Sequence, residues 1–413
     1  MLNSGSGDTI SEDRIEKIAR KYAVKNALDY GKAKIGNVIN KLFSEVRPSG
    51  ETGAEKIREI VEEVVSEVNS LSREELEREA ANYVYAEREE RTGLPKLDWA
   101  TESTKINTRF APNPSGFLHI GHAKVAILCD EYSKMYSGSF FVRFEDTDPK
   151  TKPPIPEAYK AIIDDLNWLE CGISGIFRQS ERMELYYRYA KELIHDGHAY
   201  VCTCIPEVMK RNRADGRECA CRTNSPAANM EMWERMLSSY KEGEAVLRLK
   251  TDMEHPNPSV RDWIMMRVIE AEHPITKGKY RAWPLYNFAS AIDDHEMEIN
   301  LVIRGIEHEV NGVKQAYLYS AIGAKQPHTI EVGVLKVKGT LSHKSDIIKA
   351  IKSGELSGWD DPRTPTVAGF RNKGVPPKAI RDYVIGSGIG KNPSYLDMAK
   401  LSALGRKIGG TGV

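Results

Sequence analysis

The chain has no apolar run approaching the roughly 20 residues that a membrane-crossing helix needs, and its start, Met1-Leu-Asn-Ser-Gly-Ser-Gly7, lacks the basic-then-apolar layout of a secretory signal. A cytoplasmic location is therefore expected. Cysteine is scarce, six among 413 residues, too few for a disulfide scaffold in a chain of this length. Net charge is absent too: 59 basic and 59 acidic residues cancel, so any nucleic-acid surface must arise from local clusters of Lys and Arg. There is no internal repeat and no low-complexity tract.

What is present divides into segments. The length calls for two to four domains. From Glu12 to about Arg91 the sequence is rich in Ala, Glu, Lys, Arg and Leu, and Ile57, Ile60, Val61, Val64, Val65 and Val68 fall at helical spacing. The breaks are Arg47-Pro-Ser-Gly-Glu-Thr-Gly53 and Gly93-Leu-Pro95, which makes residues 1–100 a helical N-terminal region. Lys105–Phe110 then reads as a strand, Pro112–Gly116 as a turn, His119–Tyr136 as a helix and Ser139–Phe144 as a strand. That order implies a right-handed parallel unit and a doubly wound, Rossmann-like α/β fold. Its first half is expected at 101–200. Residues 201–282, with paired cysteines, prolines and a Met-rich helix around Met230–Met236, read as an inserted domain. The second half, 283–345, resumes with Trp283–Ser290, the apolar run Leu301–Ile303 and a helix near Val313–Ile322. From Asp346 to residue 413 short helical patterns dominate and no further strand is expected.

Chemistry concentrates in Arg109-Phe-Ala-Pro-Asn-Pro-Ser-Gly-Phe-Leu-His-Ile-Gly-His122. A turn leads here from a strand to a helix, whose free N–H groups and positive partial charge suit a polyphosphate. His119 and His122 add donors that can follow charge developing on phosphate oxygens, and Gly121 between them permits close approach of a base. Taken alone, two histidines at a helix start are equally well read as capping residues.

The context goes further. The turn is followed by Val142-Arg-Phe-Glu-Asp-Thr-Asp-Pro149, then by Trp283-Pro-Leu-Tyr-Asn-Phe288, Asp293-Asp-His295, Ile303-Arg-Gly-Ile-Glu-His308 and Gly358-Trp-Asp-Asp-Pro-Arg363. Together these blocks resemble the class I glutamyl- and glutaminyl-tRNA synthetases over most of residues 105–405, in the form of the archaeal and eukaryotic branch. The helical N-terminal region, with Glu67-Val-Asn-Ser-Leu-Ser72, is similar to that of archaeal glutamyl enzymes. The resemblance implies ATP-dependent activation of glutamate and its transfer to the terminal adenosine of tRNA, with Mg2+ on the phosphates. It places Pro112, Gly116, His119, Gly121 and His122 around ATP.

The family's mobile Lys-Met-Ser-Lys-Ser loop corresponds to Thr340-Leu-Ser-His-Lys-Ser345. His343 stands where many relatives carry the second lysine, and Lys344 is expected to take its role beside Leu341 and Ser342; a degenerate, weakly active loop is the competing reading. For the amino acid, an anionic side chain in a closed pocket needs a fixed cation, which arginine's planar fork supplies. Arg304 and Arg109 are the candidates, each equally readable as a structural ion-pair partner. The resemblance makes Arg304 the glutamate-selective residue, with Tyr286 lining the pocket and Glu145 and Asn113 on the amino group.

Cys202-Thr-Cys204 and Cys219-Ala-Cys221 form two close pairs able to put four thiolates around one zinc ion, with free buried thiols as the alternative. Cys129 and Cys171 read as single buried apolar residues. By resemblance the insertion binds the acceptor end of tRNA. The segment from Trp359 resembles the part of the family that contacts the inner bend of tRNA, and Arg363, Arg371, Lys373, Lys378 and Arg381 are candidates for phosphate contact, scattered surface cations being the commoner reading. A monomer is expected. Relatives of this branch continue into anticodon-reading β-barrels, which the sequence given does not include. That leaves open a short paralogue glutamylating a modified tRNA base or another acceptor, and a non-catalytic tRNA-binding factor.

Overall fold

The computed structural model describes residues 11–45, 54–85, 93–339 and 344–409. It divides into two compact units, Met1–Glu90 and Arg91–Val413. The first is helical, with helices Glu12–Tyr30, Ile35–Glu45, Ala54–Ser70 and Arg73–Ala80. Its core contains Ile57, Val61, Val64, Val65 and Val68, one face of the third helix, packed with Ile15, Ala19 and Val24 of the first. The fourth helix starts at a capping box, Ser72 with Glu75. The unit ends before the boundary expected near residue 100 because the segment beyond it belongs to the second core. There Leu97 is buried, its N–H donates to Tyr136 Oη at 2.7 Å, and Tyr132 Oη donates to the Pro95 carbonyl at 3.1 Å.

The second unit is built on a five-stranded, all-parallel sheet. Its strands are β1 (Thr108–Phe110), β2 (Phe140–Phe144), β3 (Ile173–Arg178), β8 (Leu301–Gly305) and β9 (His328–Val332), in spatial order β3-β2-β1-β8-β9. The inner strands are buried on both faces, as a parallel sheet covered by helices requires, whereas β3 at one edge alternates. Order reverses between β1 and β8, so the crevice beyond their carboxyl ends is the place where such a fold binds ligands.

Between β3 and β8 the chain forms a separate antiparallel sheet of β4 (Ala199–Cys202), β5 (Val246–Leu249), β6 (Ile264–Val268) and β7 (Ala282–Pro284). Trp283 was expected to reopen the parallel sheet. It instead pairs with Arg267 on β6 and lies in the inserted sheet's core, since so short an apolar stretch serves either sheet equally well. The parallel fold resumes with helix Tyr286–Glu296. After residue 346 helices dominate, but one strand that was not expected is present: β11 (Ser394–Tyr395) pairs in parallel with β10 (Leu335–Lys336). Two residues are too few to leave a pattern.

Candidate active site

A cleft of about 350 Å³ opens at the carboxyl ends of β1 and β8. It brings together Arg109, Pro112, Asn113, His119, Gly121, His122, Glu145, Tyr286 and Arg304, residues scattered over nearly two hundred positions of sequence. Gly116 is not among the lining residues. It ends the Pro114–Gly116 turn, in which Asn113 Oδ1 accepts from the Ser115 N–H at 3.1 Å. Leu341, Ser342 and His343 lie outside the described residues. Lys344 begins helix Lys344–Lys352, and its side chain is likewise outside them.

His119 is the N-cap of helix Ile120–Met135, and its Nδ1 accepts from the Gly121 N–H at 3.1 Å. In the neutral ring the proton is then on Nε2. The His122 ring stacks on it at 3.7 Å between centroids. Burial pulls both imidazoles below their ordinary range, His122 to about 3 with a further contribution from His119. At neutral pH both are therefore uncharged donors beside a helix N-terminus, suited to phosphate oxygens. A Cβ on Gly121 would lie 3.0 Å from the His119 ring and 3.2 Å from the Leu335 carbonyl, so a larger residue would crowd the imidazole.

The opposite wall carries buried charge. Arg109 Nε donates to Asp294 Oδ1 at 3.0 Å; Arg143 donates to Asp294 at 2.6 Å and to Glu145 at 3.3 Å. Burial raises the Asp294 carboxyl, but Arg109 and Arg143 outweigh it and hold it below the usual range. Glu145 behaves in the opposite way: burial dominates both arginines and pushes it up to about 7. Asn113 donates to the Glu145 carbonyl at 2.8 Å and so ties the two loops together. Arg304, 7% exposed, donates to Gln315 Oε1 at 3.1 Å and has no carboxylate within ion-pair distance among the described residues.

Sequence reasoning overlooked Lys124, one turn beyond Gly121, and His308. Both line the cleft; Lys124 Nζ donates to the Gly333 carbonyl at 2.7 Å, and His308 faces Tyr286 with ring centroids 5.5 Å apart. The available signal was position: Lys124 lies on the first turns of the histidine helix. Arg381, expected at an RNA surface, is instead buried, donating to Asp130 at 2.6 Å and to the Leu169 carbonyl at 2.9 Å. It is a tie between helices, a role that sequence cannot separate from a surface cation.

In the inserted domain, Cys202, Cys204, Cys219 and Cys221 bring their four Sγ atoms within 4.8 Å of one another. The Cys202–Cys219 and Cys204–Cys221 pairs are 3.8 and 3.9 Å apart. Tetrahedral zinc with bonds of about 2.3 Å places sulfurs about 3.8 Å apart, so the cluster fits the ion. The buried Arg248 guanidinium is 3.7 Å from both Cys202 and Cys219 Sγ, a surrounding that favours thiolates. Cys129 and Cys171 are single buried thiols, as expected.

A doubly wound parallel sheet whose switch-point crevice carries a histidine-capped helix defines a Rossmann-like α/β protein with a crevice suited to a phosphate-bearing ligand. The family described as class I tRNA synthetases (E and Q), catalytic domain, matches residues 105–407. Glutamate–tRNA ligases of Pyrococcus horikoshii and Thermofilum pendens are each 46% identical, over 404 and 408 residues, or 95% of this chain and 70% and 71% of theirs. That of Methanopyrus kandleri is 41% identical over 97% of this chain and 70% of its own length. The chain belongs to the class I glutamyl- and glutaminyl-tRNA synthetase family. A crystal structure of a glutamate tRNA ligase from Elizabethkingia meningosepticum in complex with its amino acid shares the fold, with a TM-score of 0.53 at 22% identity over 74% of this chain and 70% of that one.

Proposed function

We propose that this chain activates L-glutamate with ATP and transfers it to the 3′-terminal adenosine of tRNA, as a glutamate–tRNA ligase. The relatives' shared name, at 41–46% identity over most of the chain, supports the reaction. The observation that carries the amino acid is Arg304, a buried guanidinium without a carboxylate partner among the described residues, lining the same cleft as the two histidines.

The cleft and the family's motifs support the following roles. ATP lies with its phosphates at the N-terminus of helix Ile120–Met135, where His119 and His122 donate to oxygens that gain charge. Pro112 and Gly121 line the cleft beside them; Gly116, Leu341, Ser342, His343 and Lys344 are assigned to ATP by the family resemblance alone. Mg2+ neutralises phosphate charge when bound. An α-carboxylate oxygen of glutamate attacks the α-phosphorus as the bond to pyrophosphate breaks. A ribose hydroxyl of tRNA then attacks the acyl carbon, and AMP leaves. Arg304, assisted by Arg109, pairs with the substrate's side-chain carboxylate; glutamine would leave that guanidinium desolvated and unpaired. Tyr286 closes the pocket, while Asn113 and Glu145 meet the ammonium group, whose charge restores Glu145 to its ionised form.

The inserted sheet, held by zinc on Cys202, Cys204, Cys219 and Cys221, is assigned to the acceptor end. The helices after residue 346 are assigned to the inner bend. The helical first unit supports placement in the archaeal and eukaryotic-type branch, because the relatives align across it. The test is glutamate-dependent exchange of pyrophosphate into ATP, run with tRNA present. Exchange with glutamate and none with glutamine is expected; no exchange with either overturns the proposal.

A further inference from the structure

Three arginines line or underlie the cleft, and the protein treats them differently. Arg109 is paired to Asp294, and Arg143 to Asp294 and Glu145. Arg143 also donates to the Ser290 hydroxyl at 2.9 Å, whereas Arg304 alone among the three has no carboxylate partner among the described residues and donates to the side-chain amide of Gln315 at 3.1 Å. Gln315 is 5% exposed and sits on helix Glu309–Ala321, one turn after Gly312. Positions three apart share a helix face, and both residues of this face meet the guanidinium. A Cβ on Gly312 would fall 2.4 Å from Arg304 Nη2, closer than any real contact, so the absence of a side chain there is what lets the guanidinium lie against the helix. Arg304 Nε and Gln315 Nε2 are both buried without a hydrogen-bond partner among the described residues.

We propose that Gln315 and Gly312 are positioning residues for glutamate selection. They fix the direction of Arg304 while leaving its positive charge uncompensated. The inference rests on the reading of Arg304 as the partner of the substrate carboxylate. A carboxylate at position 315 would have nearly the shape of the amide but would neutralise Arg304 from within, and the substrate would have to displace it. An amide holds the fork without competing. The unpartnered polar atoms belong to this pair itself, which is the arrangement expected where the completing group is a ligand.

The isosteric pair Gln315→Glu and Gln315→Met separates charge from shape. The charge-assisted contact of Arg304 with a substrate carboxylate is worth about 10- to 100-fold, and a carboxylate at position 315 competes with it. Gln315→Glu is therefore expected to raise KM for glutamate about 10- to 100-fold in pyrophosphate exchange, with kcat and the KM for ATP within about threefold. Gln315→Met, which removes orientation but not charge, is expected to raise it less, and Gly312→Ala to raise it by displacing the guanidinium. Thermal unfolding of each variant verifies folding. A glutamate KM within threefold of wild type in folded Gln315→Glu, or equal damage from Gln315→Met, overturns the inference. Arg304→Gln run in parallel separates the layers: an unchanged KM there sinks the Arg304 reading and this inference with it. A raised KM there beside an unaffected Gln315→Glu sinks only the inference.

Discussion

Arg304 is buried at the carboxyl end of a central strand, where removing a cation is felt through one substrate and not through the other. Arg304→Ala is expected to lower glutamate activation at least a hundredfold, roughly the worth of a charge-assisted pair, while ATP binding persists; equal loss of both would point to a folding defect. His119→Ala and His122→Ala should each lower kcat by about a hundred- to a thousandfold, measured by pyrophosphate exchange. The pH behaviour of two side chains has opposite signs. His122, ordinarily near 6.5, is held to about 3 in the fold, so the unfolded chain takes up its proton first and stability falls as pH drops between those values. Replacing His122 by Asn should flatten that acid limb in denaturant titrations. Glu145, ordinarily near 4.5, is raised to about 7, so its contribution to stability is lost as pH rises between those values. For catalysis the neutral carboxyl cannot meet an ammonium, and KM for glutamate should climb as pH falls below about 7. In Glu145→Gln the KM should be high and insensitive to pH; a retained slope would dissociate Glu145 from the substrate. The sequence pointed to each of these side chains, the histidines by their place at a helix start and Arg304 and Glu145 through the family resemblance, and all four line the cleft. Gln315 was not legible, since a buried glutamine facing a site has no local pattern to distinguish it from one on a helix surface; for Lys124 the signal was its place on the first turns of the histidine helix.

Among the elements, the turn between helix Ile120–Met135 and β2 depends on Gly138, whose Cβ would lie 2.0 Å from the Ile106 carbonyl oxygen. Gly138→Ala should destabilise the second unit by about 1–3 kcal/mol or more through forced backbone movement, read from denaturant midpoints. The cysteine cluster gives another element-scale expectation. Protein purified without chelator should hold about one equivalent of zinc, and its removal should make the four thiols of Cys202, Cys204, Cys219 and Cys221 reactive to thiol reagents. Less than a tenth of an equivalent would remove the metal from the account. Helices and inner strands were read well because their apolar periodicity is long and buried on known faces, as in Ile57–Val68 and Leu301–Ile303. Trp283 and β11 were misread for opposite reasons. One has a pattern that two sheets could accept, and the other is a two-residue strand fixed by a partner almost sixty positions away.

At the scale of the whole molecule, the fold brings the carboxyl ends of β1 and β8 into one cleft although the inserted domain separates them in sequence. On the proposed reading this cleft binds ATP and glutamate, and the fate of the activated glutamate depends on where a tRNA terminus is delivered. The most direct measurement is incubation of the protein with ATP, labelled glutamate and total tRNA, followed by mild alkali and identification of the labelled nucleotide. Label released as free glutamate from the 3′-terminal adenosine is the predicted result. Alkali-stable label on an internal nucleotide, or no label on tRNA while pyrophosphate exchange proceeds, would contradict it.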